Sequence, residues 1–124
     1  MTQPFDTSKP IYRQLANRLY WKILRKELSA GDKLPSVRDT AVEFGLNPNT
    51  VSRTYSEMER DGVVETKRGQ GTFVTQSEEA LTELRERLKD TQIRQFVKEM
   101  EAMGFEAEDM INGIQKYIAE ERDS

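Results

Sequence analysis

Arg38, the run Asn47-Pro48-Asn49-Thr50 with Arg53 and Thr54 behind it, and the tract Lys67-Arg68-Gly69-Gln70-Gly71 are the residues of this 124-residue chain whose types and spacing could do chemistry. Amides, hydroxyls and guanidinium groups are the side chains that read base edges and bind phosphate oxygens. Gly69 and Gly71 are first of all turn residues, and without side chains they also let a backbone approach a phosphate closely. Other chemistries fail on inventory. The chain holds no cysteine and no histidine, so it has no disulfide framework, thiol nucleophile, imidazole base or zinc site of the usual kind. Glu106, Glu108 and Asp109 could suggest a metal, but at a helix start they read as complements to its dipole. No cofactor is expected. The tyrosines, serines and carboxylates show no base partner at motif spacing, so the expectation is a protein that is not an enzyme.

The elements that must position these groups follow from apolar spacing. Residues 1–9 form an extended lead-in anchored by Phe5, and Ser8 is the expected cap of a helix starting near Pro10. Ile11, Tyr12, Leu15, Leu19, Ile23, Leu24 and Leu28 recur every three or four residues along it, and Ser29-Ala30-Gly31-Asp32 stops it. Tyr20 and Trp21 read as core or subunit-facing residues. Ser36 with Asp39 fits a capping box opening a short helix buried through Val37, Ala41 and Phe44. Gly45 ends that helix and Leu46 plugs the turn. Asn47 then caps a third helix with Pro48 first, whose Val51, Tyr55 and Met58 face inward. Gly62 terminates it.

Val63–Thr66 and Gly71–Thr75 are β-prone runs around a basic, glycine-containing turn, which predicts a hairpin that must lean on the helices. Two helices joined by Gly45-Leu46-Asn47 with a basic hairpin directly behind are the layout of a winged helix-turn-helix. Its second helix can enter the major groove and its hairpin can reach the backbone or minor groove beside it. Asn49, Thr50, Arg53 and Thr54 are expected on the outward side of that helix. Its acids, Glu57, Glu59 and Asp61, fall in the second half, away from the docking end. Arg53 has an alternative as an ion-pair partner of Glu57 one turn on. Lys67 reads as a non-specific phosphate contact or as no contact at all.

Charge divides the chain the same way. Residues 1–75 carry 12 Lys and Arg against 9 Asp and Glu, and residues 76–124 carry 7 against 13. The overall isoelectric point of 5.2 therefore conceals a mildly basic front and an acidic tail. The tail is predicted as two helices. Ser77 caps a long one carrying Leu81, Leu84, Leu88, Ile93, Phe96, Val97, Met100 and Met103. The step from 88 to 93 breaks its rhythm, which suggests that the two halves of the helix present different faces and motivates a joint there. Gly104 ends it, and a last helix carries Met110, Ile111, Ile114, Tyr117 and Ile118. The favoured reading of the methionine-rich cluster is a core between these helices. The sharper one is a plastic pocket for a small effector, which would need a partner subunit or the front domain as a wall, since two helices enclose too little volume. No stretch has the length and apolarity of a membrane span and no leader is read, so a soluble, cytoplasmic protein without membrane attachment is expected.

Leu34-Pro35-Ser36-Val37-Arg38, Asn47-Pro48-Asn49-Thr50-Val51-Ser52-Arg53, Arg60-Asp61-Gly62 and Arg68-Gly69-Gln70-Gly71-Thr72-Phe73-Val74 together resemble the GntR family of bacterial transcription regulators. The resemblance covers residues 10–75 without a gap, and the short two-helix tail is similar to its YtrA subfamily. It implies a mainly α fold, with a winged helix-turn-helix DNA-binding domain over 1–75 and a helical dimerisation and effector region over 76–124. It also implies a homodimer on an inverted-repeat operator in double-stranded DNA, usually a repressor. Carried onto this chain, the DNA-contacting set is Ser36 and Arg38 at the start of the second helix, Asn47, Asn49, Thr50 and Arg53 in the groove, and Lys67, Arg68, Gly69 and Gly71 in the wing. Leu81, Leu84, Leu88, Phe96, Met110, Ile111, Ile114 and Ile118 are assigned to pairing two copies. Two departures stand out: Thr40 occupies a position where the family more often has leucine, and Pro48 and Ser52 stand where many members carry arginine. The alternative reading is a winged-helix module that docks proteins; such a surface would expose apolar anchors where Asn49, Thr50 and Arg53 stand.

Overall fold

A computed structural model describes residues 4–123, so the first three positions of the expected lead-in lie outside the described residues. Helix α1 spans Ile11–Leu24 and buries Leu15, Ala16, Leu19, Tyr20 and Ile23, the stripe its spacing predicts. Both of its ends differ from expectation. Pro10 is the cap residue and no side chain caps the helix; the Ser8 hydroxyl donates instead to Asp6 Oδ1 at 2.6 Å. Asp6 is also gripped by Gln14, whose amide accepts from the Asp6 N–H at 2.8 Å and donates to its carbonyl at 2.7 Å. At the other end the helix stops at Leu24, four residues before the last apolar position of the pattern. Lys26 takes a left-handed φ of 64°, and the Lys26 and Glu27 amides close back onto the Ile23 and Lys22 carbonyls at 3.0 and 2.8 Å. That is a Schellman closure with lysine in the place usually held by glycine, which explains why no glycine signalled it.

Helix α2 spans Val37–Phe44 and α3 spans Pro48–Arg60. Ser36 Oγ accepts from the Asp39 amide at 3.0 Å, and Asn47 Oδ1 accepts from the Asn49 amide at 2.8 Å, as the capping patterns predict. Gly45 turns the chain between them with φ 66°. The buried residues of α2 are Thr40 and Ala41, whereas Val37 and Phe44 are only half-buried. Thr40 resolves its departure from leucine by hydrogen bonding. Its hydroxyl lies 2.8 Å from the Tyr55 hydroxyl, which in turn donates to the Pro35 carbonyl at 2.7 Å. A buried polar group with a partner costs little, while the same group unpaired costs about 1–3 kcal/mol.

Strands β1 (Val64–Lys67) and β2 (Gly71–Val74) pair antiparallel, with Val64 opposite Val74 and Lys67 opposite Gly71. The hairpin has more support than the helices. Lys33 bridges Phe73, the Leu34 amide donates to the Thr72 carbonyl at 2.7 Å, and the Val74 amide donates to the Asp32 carbonyl at 2.8 Å. β2 is thus bonded along both edges. Val63, Val64 and Val74 join Leu15, Leu34, Val51 and Met58 in the core. Trp21 stays half exposed at 50%.

Helix α4 spans Glu78–Ala102 and α5 spans Ala107–Asp123. The first compact unit ends at Arg85 and the second begins at Glu86, so the first unit ends eleven residues beyond the last strand of the wing. In the first unit Leu84 is buried, and Leu81 lines a cleft with Ile23, Leu24 and Leu28. Ser77 Oγ accepts from the Ala80 amide at 3.1 Å, the expected cap. α4 runs unbroken through residues 88–93, so the lost rhythm there is a change of face and not an interruption of the helix. In the second unit Asp109 Oδ2 accepts from the Glu106 amide at 2.9 Å and starts α5. Met110 is buried, while Ile93, Phe105, Ile111, Ile114, Tyr117 and Ile118 remain exposed.

Tyr55→Phe removes one hydroxyl and leaves the Pro35 carbonyl unpaired. It is expected to lower unfolding stability by about 1–3 kcal/mol, and Thr40→Val is expected to cost less in that background than alone. Urea denaturation of the four proteins measures both.

Candidate nucleic-acid interface

Four residues separate Asn49 from Arg53, one turn of α3, so both stand on one face. Both are exposed, and Thr50 beside them is half-buried. Thr54 is not with them. It is fully buried, and its hydroxyl lies 3.0 Å from the Thr50 carbonyl and 3.1 Å from the Tyr12 carbonyl. A small β-branched residue with a hydroxyl serves there because α1 packs directly on that side of α3, a fact that composition does not carry.

Arg53 makes no ion pair with Glu57 among the described residues. Its guanidinium carbon sits 3.9 Å from the centre of the Tyr12 ring, and Glu57 pairs with Arg60 at 3.3 Å. Arg13 Nε donates to the Tyr12 hydroxyl at 3.2 Å. That hydrogen bond, followed by the positive charges of Arg13 and Arg53, holds the Tyr12 phenol below its ordinary pKa, while the Arg13 guanidinium is held up by the same bond. Burial pushes the Tyr55 phenol the other way. Tyr12 and Arg13 were absent from the sequence-based site because Tyr12 counts as one more position of an apolar stripe.

Glu57 and Glu59 in the second half of α3, and Asp61 just past its end, each hold a structural bond. Asp61 Oδ2 accepts from the Tyr20 hydroxyl at 2.7 Å, Glu59 accepts from the Thr66 amide at 2.9 Å, and Glu57 holds Arg60. The first two fasten α3 to α1 and to the wing. Negative charge is thus spent on the scaffold, and the exposed start of α3 carries only amides, hydroxyls and Arg53.

Ser36 and Asn47 occupy their oxygens as helix caps, which leaves the Ser36 proton and the Asn47 amide protons as donors. Arg38, second residue of α2, and Arg68, at the wing tip, are exposed, and neither makes an ion pair among the described residues. The tip is closed by the Gln70 amide on the Lys67 carbonyl at 2.9 Å, with Gly69 at φ 77°. Lys67 Nζ lies 4.7 Å from the Phe73 ring centre. Gly71 has a requirement of its own. At φ 125° a Cβ on it would sit 2.7 Å from Lys33 Cε, so Lys33 brings a further cation to the base of the wing.

A short helix, a turn, an exposed polar helix and a cation-bearing hairpin define the winged helix-turn-helix class of DNA-binding domains. Residues 11–74 match the family of bacterial regulatory proteins described as the gntR family. The chain is 49% identical to an uncharacterized HTH-type transcriptional regulator, YhcF, of Bacillus subtilis, over 94% of this chain and 97% of that one. It is 36% identical to the HTH-type transcriptional repressor YtrA of the same organism, over 92% and 88%. The structure resembles a GntR family transcriptional regulator from Listeria monocytogenes with a TM-score of 0.85 and 34% identity, covering 90% of this chain and 98% of that one. This chain belongs to the gntR family and is a transcription regulator of the YtrA-like type. Among the described residues no helix is long and apolar enough to cross a membrane.

Gly71→Ala is expected to destabilise the wing by about 1 kcal/mol or more, because alanine is strained at positive φ. In a Lys33→Ala background the steric part of that cost disappears and the backbone part stays. Chemical denaturation of the single and double variants separates the two.

Proposed function

We propose that this regulator is a homodimeric repressor that binds an inverted-repeat operator. Residues 1–75 contact DNA and the acidic helical region over 76–124 pairs the subunits. The observation that carries the reading is the contrast on α3. Its acids are taken up by the scaffold, whereas Asn49 and Arg53 are exposed with half-buried Thr50 beside them, and Arg38 and Arg68 are exposed as well. In this reading Asn49, Thr50 and Arg53 meet base edges, helped by the remaining donors of Ser36 and Asn47. Lys67, Arg68 and the Gly69 and Gly71 backbone track phosphates. The repressor sense is supported by the similarity to YtrA, a transcriptional repressor of Bacillus subtilis.

Pairing of subunits is supported by energetics and by surface. A single module with a few phosphate contacts binds DNA weakly, at about 10⁻⁴–10⁻⁶ M without specificity; two coupled half-sites raise both affinity and selectivity. In the second unit Ile111, Ile114, Tyr117 and Ile118 are exposed along α5, and isolated apolar stripes of this kind mark interfaces. Leu84 and Met110, from the dimerisation set, are already covered within the chain, so the interface proposed here rests on the exposed members, Ile111, Ile114 and Ile118, with half-buried Leu88 and Phe96 of the same unit beside them, while half-buried Leu81 belongs to the first unit. An open cleft of about 570 Å³ is lined by Ile93, Phe96, Val97, Met110, Ile111 and Ile114, and the two helices alone do not enclose it. Covered by a partner, it would suit a small apolar effector.

Arg38→Ala and Arg68→Ala are each expected to weaken binding to a palindromic duplex selected from a random pool by roughly tenfold. Each is also expected to lower the salt slope of log K by about 1 where a phosphate contact is lost. Titration at several salt concentrations, with circular dichroism to check the fold, tests this; unchanged affinity and slope in both variants overturn the assignment. The Ile111→Asp, Ile114→Asp double variant is expected to sediment as a monomer with its helical content intact, because both side chains are about half exposed. A dimer of normal stability would place the interface elsewhere.

A further inference from the structure

We propose that Tyr12 of α1 is a positioning residue for base recognition, holding the Arg53 guanidinium over its ring so that Arg53 reads a guanine in each half-site. This rests on the DNA-binding reading above and adds to it a base and a residue outside the helix-turn-helix.

Three contacts tie Tyr12 to α3 and α1 at once. Its ring lies under Arg53 at 3.9 Å, its hydroxyl accepts from Arg13 Nε at 3.2 Å, and its backbone carbonyl lies 3.1 Å from the buried Thr54 hydroxyl, one residue beyond Arg53. The Thr54 contact anchors to α3 the backbone that carries the ring, and the Arg13 bond adds a lesser restraint at its far end. An arginine on α3 without such a neighbour would sample many rotamers and lose side-chain entropy on binding. Stacking uses only one face of the guanidinium and leaves its in-plane N–H donors available. That fork matches the O6 and N7 acceptors of guanine in the major groove. Glu57, the acid that could have drawn the fork aside, is engaged with Arg60.

The test uses the full-length chain and the duplex that the wild-type protein enriches from a random pool. Residue 12 is changed in three ways: Tyr12→Phe, which keeps the ring; pentafluorophenylalanine, which keeps size and shape but reverses the quadrupole that attracts a cation; and Tyr12→Leu, which removes the ring. Preference for guanine over the other bases, measured by competition, is expected to survive Tyr12→Phe within about twofold. It is expected to fall by on the order of tenfold with the fluorinated ring and with Tyr12→Leu. Arg53→Ala is expected to abolish the same preference and to make the state of residue 12 irrelevant. A merely structural tyrosine would tolerate the fluorinated ring, and that result overturns the inference. So does a loss spread equally over all bases, which is the mark of a phosphate contact. A duplex enriched without guanine dependence on Arg53 also overturns it while leaving DNA binding intact. A wild-type protein that enriches no sequence overturns both readings together.

Discussion

The outward face of α3 exists because its inner face is tied down through polar groups as well as apolar ones. Tyr55 is the centre of that attachment. Its hydroxyl spans from the Pro35 carbonyl to Thr40, so one atom sets the distance between the loop before α2, α2 itself and α3. Val51 and Met58 fill the space around it without a direction of their own, since apolar burial is non-directional. Asp61 with Tyr20 and Glu59 with Thr66 fix the far end of the helix against rotation. A recognition helix free to roll on its core would present different side chains to a groove; this one is pinned at three points along its length.

The same economy governs charge. A DNA-binding surface requires that carboxylates stay away from phosphates, and an acidic protein has many to place. In the first unit the acids of α3 are held by a tyrosine hydroxyl, a strand amide and an arginine of the same helix. In the second unit the acids at the start of α5 meet the positive end of the helix, where Asp109 also caps it. Net charge therefore says little about function here. Placement says more: an isoelectric point of 5.2 is compatible with a cationic wing and an uncluttered helix start.

The wing shows how a marginal element gains stability. Two four-residue strands seldom persist alone. The segment before α2 adds hydrogen bonds to the second edge of β2, and Lys33 lies so close over Gly71 that the glycine is needed for space as well as for its φ. The Lys33-Leu34-Pro35 lead-in thus does two things at once: its backbone extends the sheet and its Pro35 carbonyl receives Tyr55.

Much of this fold was legible in the chain. Caps at Ser36, Asn47 and Ser77, the turn at Gly45 and the tip at Gly69 are local devices, in which a side chain and its own neighbouring backbone settle the geometry. The apolar stripes of α1 and α3 were legible for the same reason, since helical period is a property of sequence. What the sequence could not decide was anything set by a partner distant in the chain. Thr54 looked like an outward hydroxyl until α1 covered it; Thr40 departed from the leucine of its relatives for a reason, Tyr55, that lies on another helix; Arg53 had a neighbour in sequence, Glu57, and took one forty-one positions away, Tyr12. Lys26 ended α1 where no glycine announced it, because a Schellman closure needs only a residue that tolerates positive φ. Spacing assigns residues to faces, but the identity of the group that meets each face is a tertiary fact, and hydrogen bonds and cation–π contacts, being directional, are decided only when the elements meet.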